Sequence, residues 1–190
     1  MCMFRDLNAD EIEVRVAQAN EYGVSLLLYK DARVDMAILD ETVGQSNWQN
    51  KFYENKGILF CSLGINTNYA NKELPDRWVW KDDAGTESNT EAEKGNASDA
   101  RKRAGFAWGI GRELYTAPEI KIRPEHLAKL KQYNGKDGVK WKCYDTFDVE
   151  AIRIENKRIV GLAIRNTTTG NPFRCFQWVD EKWKKEQANA

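Results

Sequence analysis

The sequence predicts an α+β fold: a β-hairpin and a helix, then an antiparallel sheet crossed by a long helix of small residues, and a small C-terminal β element. Three patterns support this prediction. Apolar residues alternate over residues 12–16 and form a second run over residues 24–29. Alanines recur at three- and four-residue spacing over residues 97–107. Apolar residues alternate again within residues 146–178, and a period of two is typical of strands.

The hairpin and the first helix follow from turn and end signals. The segment of residues 20–23 separates the two apolar runs, which predicts a β-hairpin over residues 12–29. A helix ended by Gly44 comes next. Its predicted buried stripe consists of Val34, Ile38, Leu39 and Val43.

A sheet is predicted next, and the helix of small residues packs across it. The strands of this sheet cover residues 51–53, 57–65 and 77–81. The helix covers residues 94–108, and Gly109 and Gly111 supply the permissive backbone that ends it. Its apolar stripe consists of Ala97, Ala100, Ala104 and Ala107.

The chain changes character after Pro118. Residues 119–142 are predicted to be a basic connector with a turn, and residues 146–178 to form three strands before a short terminal helix. The predicted organisation is therefore a core, a basic connector and a small β-rich region. These parts cover residues 1–118, 119–142 and 143–190.

Composition bounds the class of protein. The 190 residues are sufficient for one sizeable core, and 29 basic residues balance 29 acidic ones. No run approaches the roughly 20 apolar residues that cross a bilayer. The N-terminus lacks the basic-then-apolar layout of a signal peptide, so we expect a cytoplasmic location and no membrane partner.

The neutral total conceals acidic and basic regions. Residues 82–93 carry five acidic residues and no basic one, and residues 6–13 carry four more acidic residues. Seven basic residues fall within a later stretch, namely Lys121, Arg123, Lys129, Lys131, Lys136, Lys140 and Lys142. Segregated charge allows a neutral protein to present a positive groove to a phosphate backbone.

The sequence indicates no metal site and no catalytic centre. Cys2, Cys61, Cys143 and Cys175 form no C-x-x-C pair, so neither zinc nor a disulfide framework is indicated and packed, reduced thiols are expected. The single histidine, His126, lies in a lysine-rich stretch and is expected to be solvated. No G-x-x-x-x-G-K-[ST] cradle is present, so no nucleotide cofactor is expected.

The segment KGNASDARKRAGFAWGIGRELYTAP, residues 94–118, places a basic triplet on a helix of otherwise small residues. The basic side chains project from a different face than the alanine stripe, which favours a grip on a nucleic-acid backbone. The alternative is a solvated charged face. In that case Asp99 and Arg103, four residues apart, simply pair, which stabilises an exposed helix by roughly 0.3–0.5 kcal/mol.

Two further segments precede this helix: YKDARVDMAILDETVGQSNW, residues 29–48, and WKDDAGTES, residues 80–88. With the helix, their order and spacing resemble the Rad-fifty-two superfamily of single-strand annealing proteins, in its short phage and prophage form. The resemblance covers roughly residues 11–118. It implies ATP-independent annealing of DNA by a ring or helical filament, in the bacterial host cytoplasm if a phage encodes the chain.

The resemblance also implies a DNA-binding groove. Lys102 and Arg103 match the paired basic residues with which the family holds the DNA backbone. Arg15 and Tyr29 match a basic and an aromatic residue that line the same groove. Eukaryotic members carry another basic residue three positions after the pair, where this chain has Phe106. Further candidate DNA-binding residues are Arg101 and Arg112, as compensation for that missing charge, and Lys30, Arg33 and Lys94.

The implied partners are single-stranded DNA, the annealed duplex intermediate and further copies of the chain. The sequence leaves open whether the region beyond residue 119 recruits a host single-strand-binding protein as a further partner. Trp78 and Trp80 share one face of a predicted strand. Core packing or a subunit contact is favoured there over a platform for base stacking.

Two other functions are weighed against annealing. Pro75 and Asp76, with the later Glu119 and Lys121, loosely follow the P-D…E-x-K pattern in which carboxylates hold Mg²⁺ for nuclease chemistry. That motif is short and frequent by chance. A passive coating protein would bind single strands without promoting their pairing.

Overall fold

The computed structural model describes residues 4–85, 92–135 and 138–188, without the side chains of residues 92–94. Over these residues the chain is α+β, with three α-helices and with strands that pair antiparallel. It divides into two units. The first unit contains Lys30–Arg112 and the N-terminal residues up to Asp6. The second contains Leu7–Tyr29 and the chain from Glu113 onward.

The predicted hairpin, first helix, central strands, small-residue helix and C-terminal strands are confirmed as elements. The helices are α1 (Ala32–Val43), α2 (Ala92–Trp108) and α3 (Glu181–Ala188). The strands are β1 (Ile12–Asn20), β2 (Gly23–Lys30), β3 (Trp48–Asn55), β4 (Ile58–Asn66), β5 (Trp78–Ala84), β6 (Ile120–Ile122), β7 (Leu130–Gly135), β8 (Gly138–Cys143), β9 (Phe147–Glu155), β10 (Arg158–Asn166) and β11 (Phe173–Val179). Among the described helices, none has the length and apolarity that a membrane crossing requires.

The first unit is a three-stranded sheet, in the order β3-β4-β5, with α2 packed on one face. Of the predicted alanine stripe of α2, Ala100 and Ala104 are fully buried, whereas Ala97 and Ala107 are half-buried. On the face of β4 toward the helix, the apolar side chains of Cys61, Leu63 and Ile65 are buried. Because alanine side chains are single methyl groups, the helix axis lies close to the strands.

The predicted helix ends are confirmed at both glycines. Gly44 follows α1 with φ 82°, and Gly109 follows α2 with φ 96°. At the second end, the Ile110 N–H donates to the Gly105 carbonyl at 3.0 Å and the Gly109 N–H donates to the Phe106 carbonyl at 2.9 Å. This pair of bonds is the Schellman arrangement, which satisfies two of the last carbonyls of the helix.

The second unit contains a six-stranded sheet in the order β11-β10-β9-β1-β2-β6. The N-terminal hairpin lies inside it, because β1 pairs with β9 and β2 pairs with β6. The structure thus divides the chain differently from the predicted boundary at residue 118. Each strand of the hairpin has one edge whose backbone N–H and C=O groups need partners, and strands after residue 119 supply them. Local sequence patterns do not reveal pairing between such distant parts of the chain.

The predicted basic connector is folded. Residues 119–142 contribute β6 to the edge of the six-stranded sheet, and β7 and β8 form a two-stranded ribbon. Ile120 and Ile122 are buried with the exposed Lys121 between them. This alternation extends over only three residues, which is too short for the pattern to stand out in the sequence.

Lys30 and Asp35 form an ion pair inside the first unit. Their side chains are 0% and 1% exposed, and the Lys30 ammonium donates to Asp35 Oδ1. The Lys30 Nζ also lies 4.4 Å from the centroid of the Phe106 ring. The expected role of Lys30 as a DNA-binding residue is therefore wrong for this structure, because a fully buried ammonium does not reach a phosphate backbone.

Breaking this pair should be costly. Lys30→Met should lower the free energy of unfolding by about 3–5 kcal/mol, because it leaves the Asp35 carboxyl buried without its partner. Lys30→Met combined with Asp35→Leu should recover most of that loss, since an apolar pair of similar volume is often as stable as a buried ion pair. Urea unfolding measures both variants. An equal loss in the single and the double variant would contradict the pairing.

Candidate nucleic-acid interface

The basic triplet of α2 lies on the sides of the helix that the sheet does not cover. Successive residues of an α-helix are rotated by about 100°, as 3.6 residues per turn require. With Ala100 and Ala104 buried against the sheet, Lys102 points away from it, and Arg101 and Arg103 project on opposite flanks. The three cations consequently have different surroundings.

Lys102 is the cation of the triplet most available to a ligand. Its side chain is half-buried, and within the described part of the chain it has no hydrogen bond or ion pair. The Asp35 carboxyl of α1 approaches α2 closely enough that a Cβ at Gly105 would lie 3.0 Å from Asp35 Oδ2. Burial raises the pKa of Asp35 to about 6, although the charges of Lys30, Lys102 and Arg101 oppose the rise. Lys102 is therefore attracted electrostatically by the buried Asp35 carboxyl group but forms no ion pair with it.

Arg103 is held by a carboxylate from the neighbouring strand. Its Nε lies 3.2 Å from Asp83 Oδ1, and the two side chains are 39% and 34% exposed. The same oxygen of Asp83 accepts the Ala84 N–H at 2.8 Å, which fixes the carboxylate in place. A phosphate that binds Arg103 must therefore compete with Asp83.

Arg101 points toward α1 and β3. Its Nη1 lies 3.3 Å from Met36 Sδ, and its guanidinium carbon lies 5.6 Å from the centroid of the Phe52 ring. Its Nε is buried and has no hydrogen-bond partner among the described residues. Arg101 thus contacts both α1 and β3. If Arg101 replaces the basic residue that is absent at Phe106, only its remaining guanidinium nitrogens are available to bind DNA.

Arg112 closes the end of α2. Its guanidinium donates to the Phe106 carbonyl at 3.1 Å and 2.8 Å and to the Ala107 carbonyl at 3.0 Å. Cations near the last carbonyls of a helix are favourable because the helix dipole places negative charge there. The guanidinium of Arg112 can therefore make the expected DNA contact only by giving up its hydrogen bonds to the end of α2.

Arg15 and Tyr29 come together, as expected of two residues that line one surface. The Arg15 guanidinium carbon lies 5.1 Å from the centroid of the Tyr29 ring. Both residues are exposed, and Arg15 also pairs with Glu13. They belong to the second unit, whereas Lys102 and Arg103 belong to the first.

The two remaining candidates differ in what the structure describes. The Arg33 side chain is 90% exposed at the start of α1, with its Nε 3.7 Å from Asp31 Oδ1. Lys94 falls in the first turn of α2, and its side chain lies outside the described residues.

The residues of the nuclease motif belong to separate units. Asp76, in the first unit, accepts a hydrogen bond from Asn66 at 2.8 Å. Glu119, in the second, pairs with Lys121 at 2.7 Å. Within residues 4–85, 92–135 and 138–188, no group of three or more His, Cys, Asp or Glu side chains is placed to hold a metal ion.

Among the described cysteines, Cys61 is buried, and Cys143 and Cys175 are half-buried. Burial raises the pKa of Cys61, of Cys143 and of Cys175 to about 11, so each remains protonated at neutral pH. Cys2 lies outside the described residues. His126 lies beside Phe173, with 6.4 Å between the ring centroids.

Sequence reasoning missed the role of Asp83. It lies in the acidic segment of residues 82–93, where only the charge stands out in the sequence, yet it is the residue that orients Arg103. Strand alternation places Lys81 and Asp83 on one face of β5, and the Lys81 ammonium donates to the Ala107 carbonyl at 2.9 Å. The alternation is visible in the sequence, but which face the helix covers is not.

Comparisons of the chain with protein-family models, with curated proteins and with solved structures found no match. The geometry of the interface itself is what indicates its chemistry. Over the described residues, that geometry combines a lysine without an ion pair, an arginine held by a carboxylate, and two arginines bound to the elements around them.

Removing the Arg112 guanidinium should weaken the end of α2. We expect Arg112→Ala to lower the free energy of unfolding by about 1 kcal/mol, because two carbonyls of the last turn lose a charged donor. Arg33→Ala is the matched control, since Arg33 is exposed and its nearest carboxylate is 3.7 Å away. Urea unfolding compares the two variants. Equal stabilities would show that the Arg112 bonds contribute nothing.

Proposed function

We propose that the protein anneals complementary single strands of DNA without ATP and without a catalytic centre, as its resemblance to the Rad-fifty-two superfamily implies. The observation that carries the proposal is the state of Lys102 and Arg103 on α2. Lys102 has no hydrogen bond or ion pair among the described residues, and Arg103 has one exchangeable carboxylate partner. Two adjacent cations with these properties suit the binding of phosphates.

The chemistry of the interface favours phosphates over bases. Lysine and arginine donors fit phosphate oxygens, and such contacts hold the backbone without reading the sequence. The helix that presents these donors is fixed to the sheet by buried alanines and by its capped end. A fixed helix keeps the donors at a constant position relative to the strand that they bind.

Annealing requires that the bases of the held strand stay accessible. In the proposed mechanism, Lys102 and Arg103 of successive copies in a ring or filament hold the phosphates of one strand. The bases then face away from the protein, and a complementary strand tests pairing directly. Arg15 with Tyr29 is proposed as a further DNA contact, in the second unit. Fidelity comes from Watson–Crick pairing, because the phosphate contacts are the same for every sequence.

Lys102→Ala combined with Arg103→Ala should abolish single-strand binding and annealing while the fold is retained. Removal of each phosphate contact should reduce the slope of log affinity against log salt by about 0.7. Fluorescence anisotropy with oligonucleotides at several salt concentrations measures binding, and conversion of labelled strands to duplex measures annealing. Lys185→Ala is the control, because it removes one exposed positive charge from α3.

The same assays separate the competing functions. Annealing at the parental rate by the double variant would overturn the assignment of the interface. Normal binding by the parent without duplex formation would favour a passive coating protein. Shortening of labelled DNA in Mg²⁺, stopped by Asp76→Asn or Glu119→Gln, would establish a nuclease instead.

Asp83→Asn should tighten single-strand binding. The substitution removes the carboxylate that competes with phosphate for Arg103, and exposed ion pairs of this kind contribute up to about 1 kcal/mol, so affinity should rise about two- to fivefold. Glu181→Gln is the control, because it removes an exposed carboxylate that pairs with Lys184 on α3, outside the candidate interface. An unchanged or weakened affinity for Asp83→Asn would show that Arg103 does not bind phosphate.

A further inference from the structure

The face of the three-stranded sheet opposite α2 carries two pairs of stacked aromatic rings. The rings of Tyr53 and Phe60 lie 5.3 Å apart between centroids, at an interplanar angle of 10°. Those of Trp78 and Trp80 lie 6.2 Å apart, at 29°. Register places all four on one face, because Tyr53 pairs with Phe60 and Trp80 pairs with Gly64, four residues further along β4. We call this surface the aromatic face.

Both helices of the first unit contact the other side of the sheet. Arg101 and Arg103 of α2 reach Phe52 and Asp83, which share a face with the buried residues of β4. The Trp48 indole, on that same face, donates to Asp40 of α1 at 2.6 Å. Core packing against these helices, the role favoured for Trp78 and Trp80 from the sequence, is therefore not what places the two tryptophans.

Trp80 lies flat on the sheet because its neighbour is a glycine. A Cβ built at Gly64 would fall 2.7–2.8 Å from three ring carbons of Trp80, so the indole occupies the space of the absent side chain. One ring face is thus turned toward the strand and the other away from it. A flat aromatic surface of this kind fits another planar ring system stacked on top.

The ammonium group of Lys51 lies over the Trp80 ring. Lys51 is exposed and pairs with Ser62, midway between Phe60 and Gly64 on β4. Its Nζ lies 4.4 Å from the centroid of the Trp80 ring. Four strand residues span about 13 Å, so the two ring pairs, with the ammonium group over one of them, extend over about that distance. Aromatic rings of this kind stack bases in proteins that bind single strands, and the exposed Lys51 ammonium has to leave the Trp80 ring when a base stacks there.

The central charges argue against a second copy of the chain as the occupant. Asp82 lies on this face, where its carboxylate accepts the Tyr53 hydroxyl at 2.9 Å, and Lys51 lies beside it in register. The centres of protein–protein interfaces are depleted of such lysines and aspartates. The two charges also cancel, so binding to this surface should depend on stacking and respond little to salt.

We propose that the aromatic face is a stacking surface for the unpaired bases of single-stranded DNA, an inference that rests on the proposed function. The sheet separates this surface from α2, so the nucleotides that stack here are not those whose phosphates Lys102 and Arg103 hold. They belong to a further stretch of the strand or to the strand that is to be paired.

The test compares an oligo(dT) with an abasic oligonucleotide of the same length, which keeps the phosphates and lacks the bases. Trp80→Leu should weaken oligo(dT) binding about five- to tenfold, in the range expected when one stacked base is removed. Binding of the abasic strand should not change. Tyr53→Leu should act in the same direction, and it provides the test if Trp80→Leu does not fold. Tyr133→Leu, at an exposed tyrosine of β7, is the control.

The outcomes distinguish this inference from the proposed function. Lys102→Ala should weaken binding of both oligonucleotides and reduce the slope of log affinity against log salt. Trp80→Leu should change neither the binding of the abasic strand nor that slope. If Trp80→Leu weakens oligo(dT) binding and Lys102→Ala does not, the stacking surface is supported and the proposed phosphate contact of Lys102 is overturned. An unchanged ratio of oligo(dT) to abasic affinity in both aromatic variants would overturn the stacking surface. A change in sedimenting mass alone, with oligo(dT) binding intact, would overturn it as well.

Discussion

The candidate interface depends on how closely α2 approaches the elements on either side of it. Ala100 and Ala104 place the helix against the sheet, and Gly105 allows the Asp35 carboxyl of α1 to approach the helix backbone. Any larger side chain at these three positions would have to displace a neighbour, because protein interiors are close-packed. Small residues on two sides leave only the remaining sides of α2 for long, charged side chains. The position of the basic triplet is thus a consequence of packing.

The buried Lys30–Asp35 pair determines how α1 and α2 pack more than it stabilises the fold. Desolvation of two charges offsets much of their attraction, so such pairs are weak sources of net stability. Both partners nevertheless have to be near each other and near Phe106, which restricts how α1 and α2 can pack. The Lys30 ammonium, which the sequence suggested as a candidate DNA contact, is thus buried in the interior. Lys102 remains as a candidate for that contact.

Carboxylates lie close to three of the cations that are candidates for DNA binding. Asp83 lies beside Arg103, Glu13 beside Arg15 and Asp31 near Arg33. Exposed pairs of this kind are weak and screened by salt, so a phosphate can exchange for the carboxylate at small cost. On the proposed function, this arrangement suits a protein that must hold a strand and later release a duplex. It also explains how a chain with zero net charge can present a site for an anion.

Outside residues 119–142, the sequence by itself determined the main helices and strands and the glycines that end α1 and α2. The period of β1, the stripe of α1, the alanines of α2 and the glycines at positions 44 and 109 act within a few residues of themselves, so local patterns were sufficient. Partners distant in the chain were decided only by tertiary structure. The pairing of β1 with β9, the burial of Lys30 and the hold of Asp83 on Arg103 each depend on which surfaces meet. A linear pattern shows that a lysine is charged, but the surrounding packing decides whether its charge faces water or a buried carboxyl group.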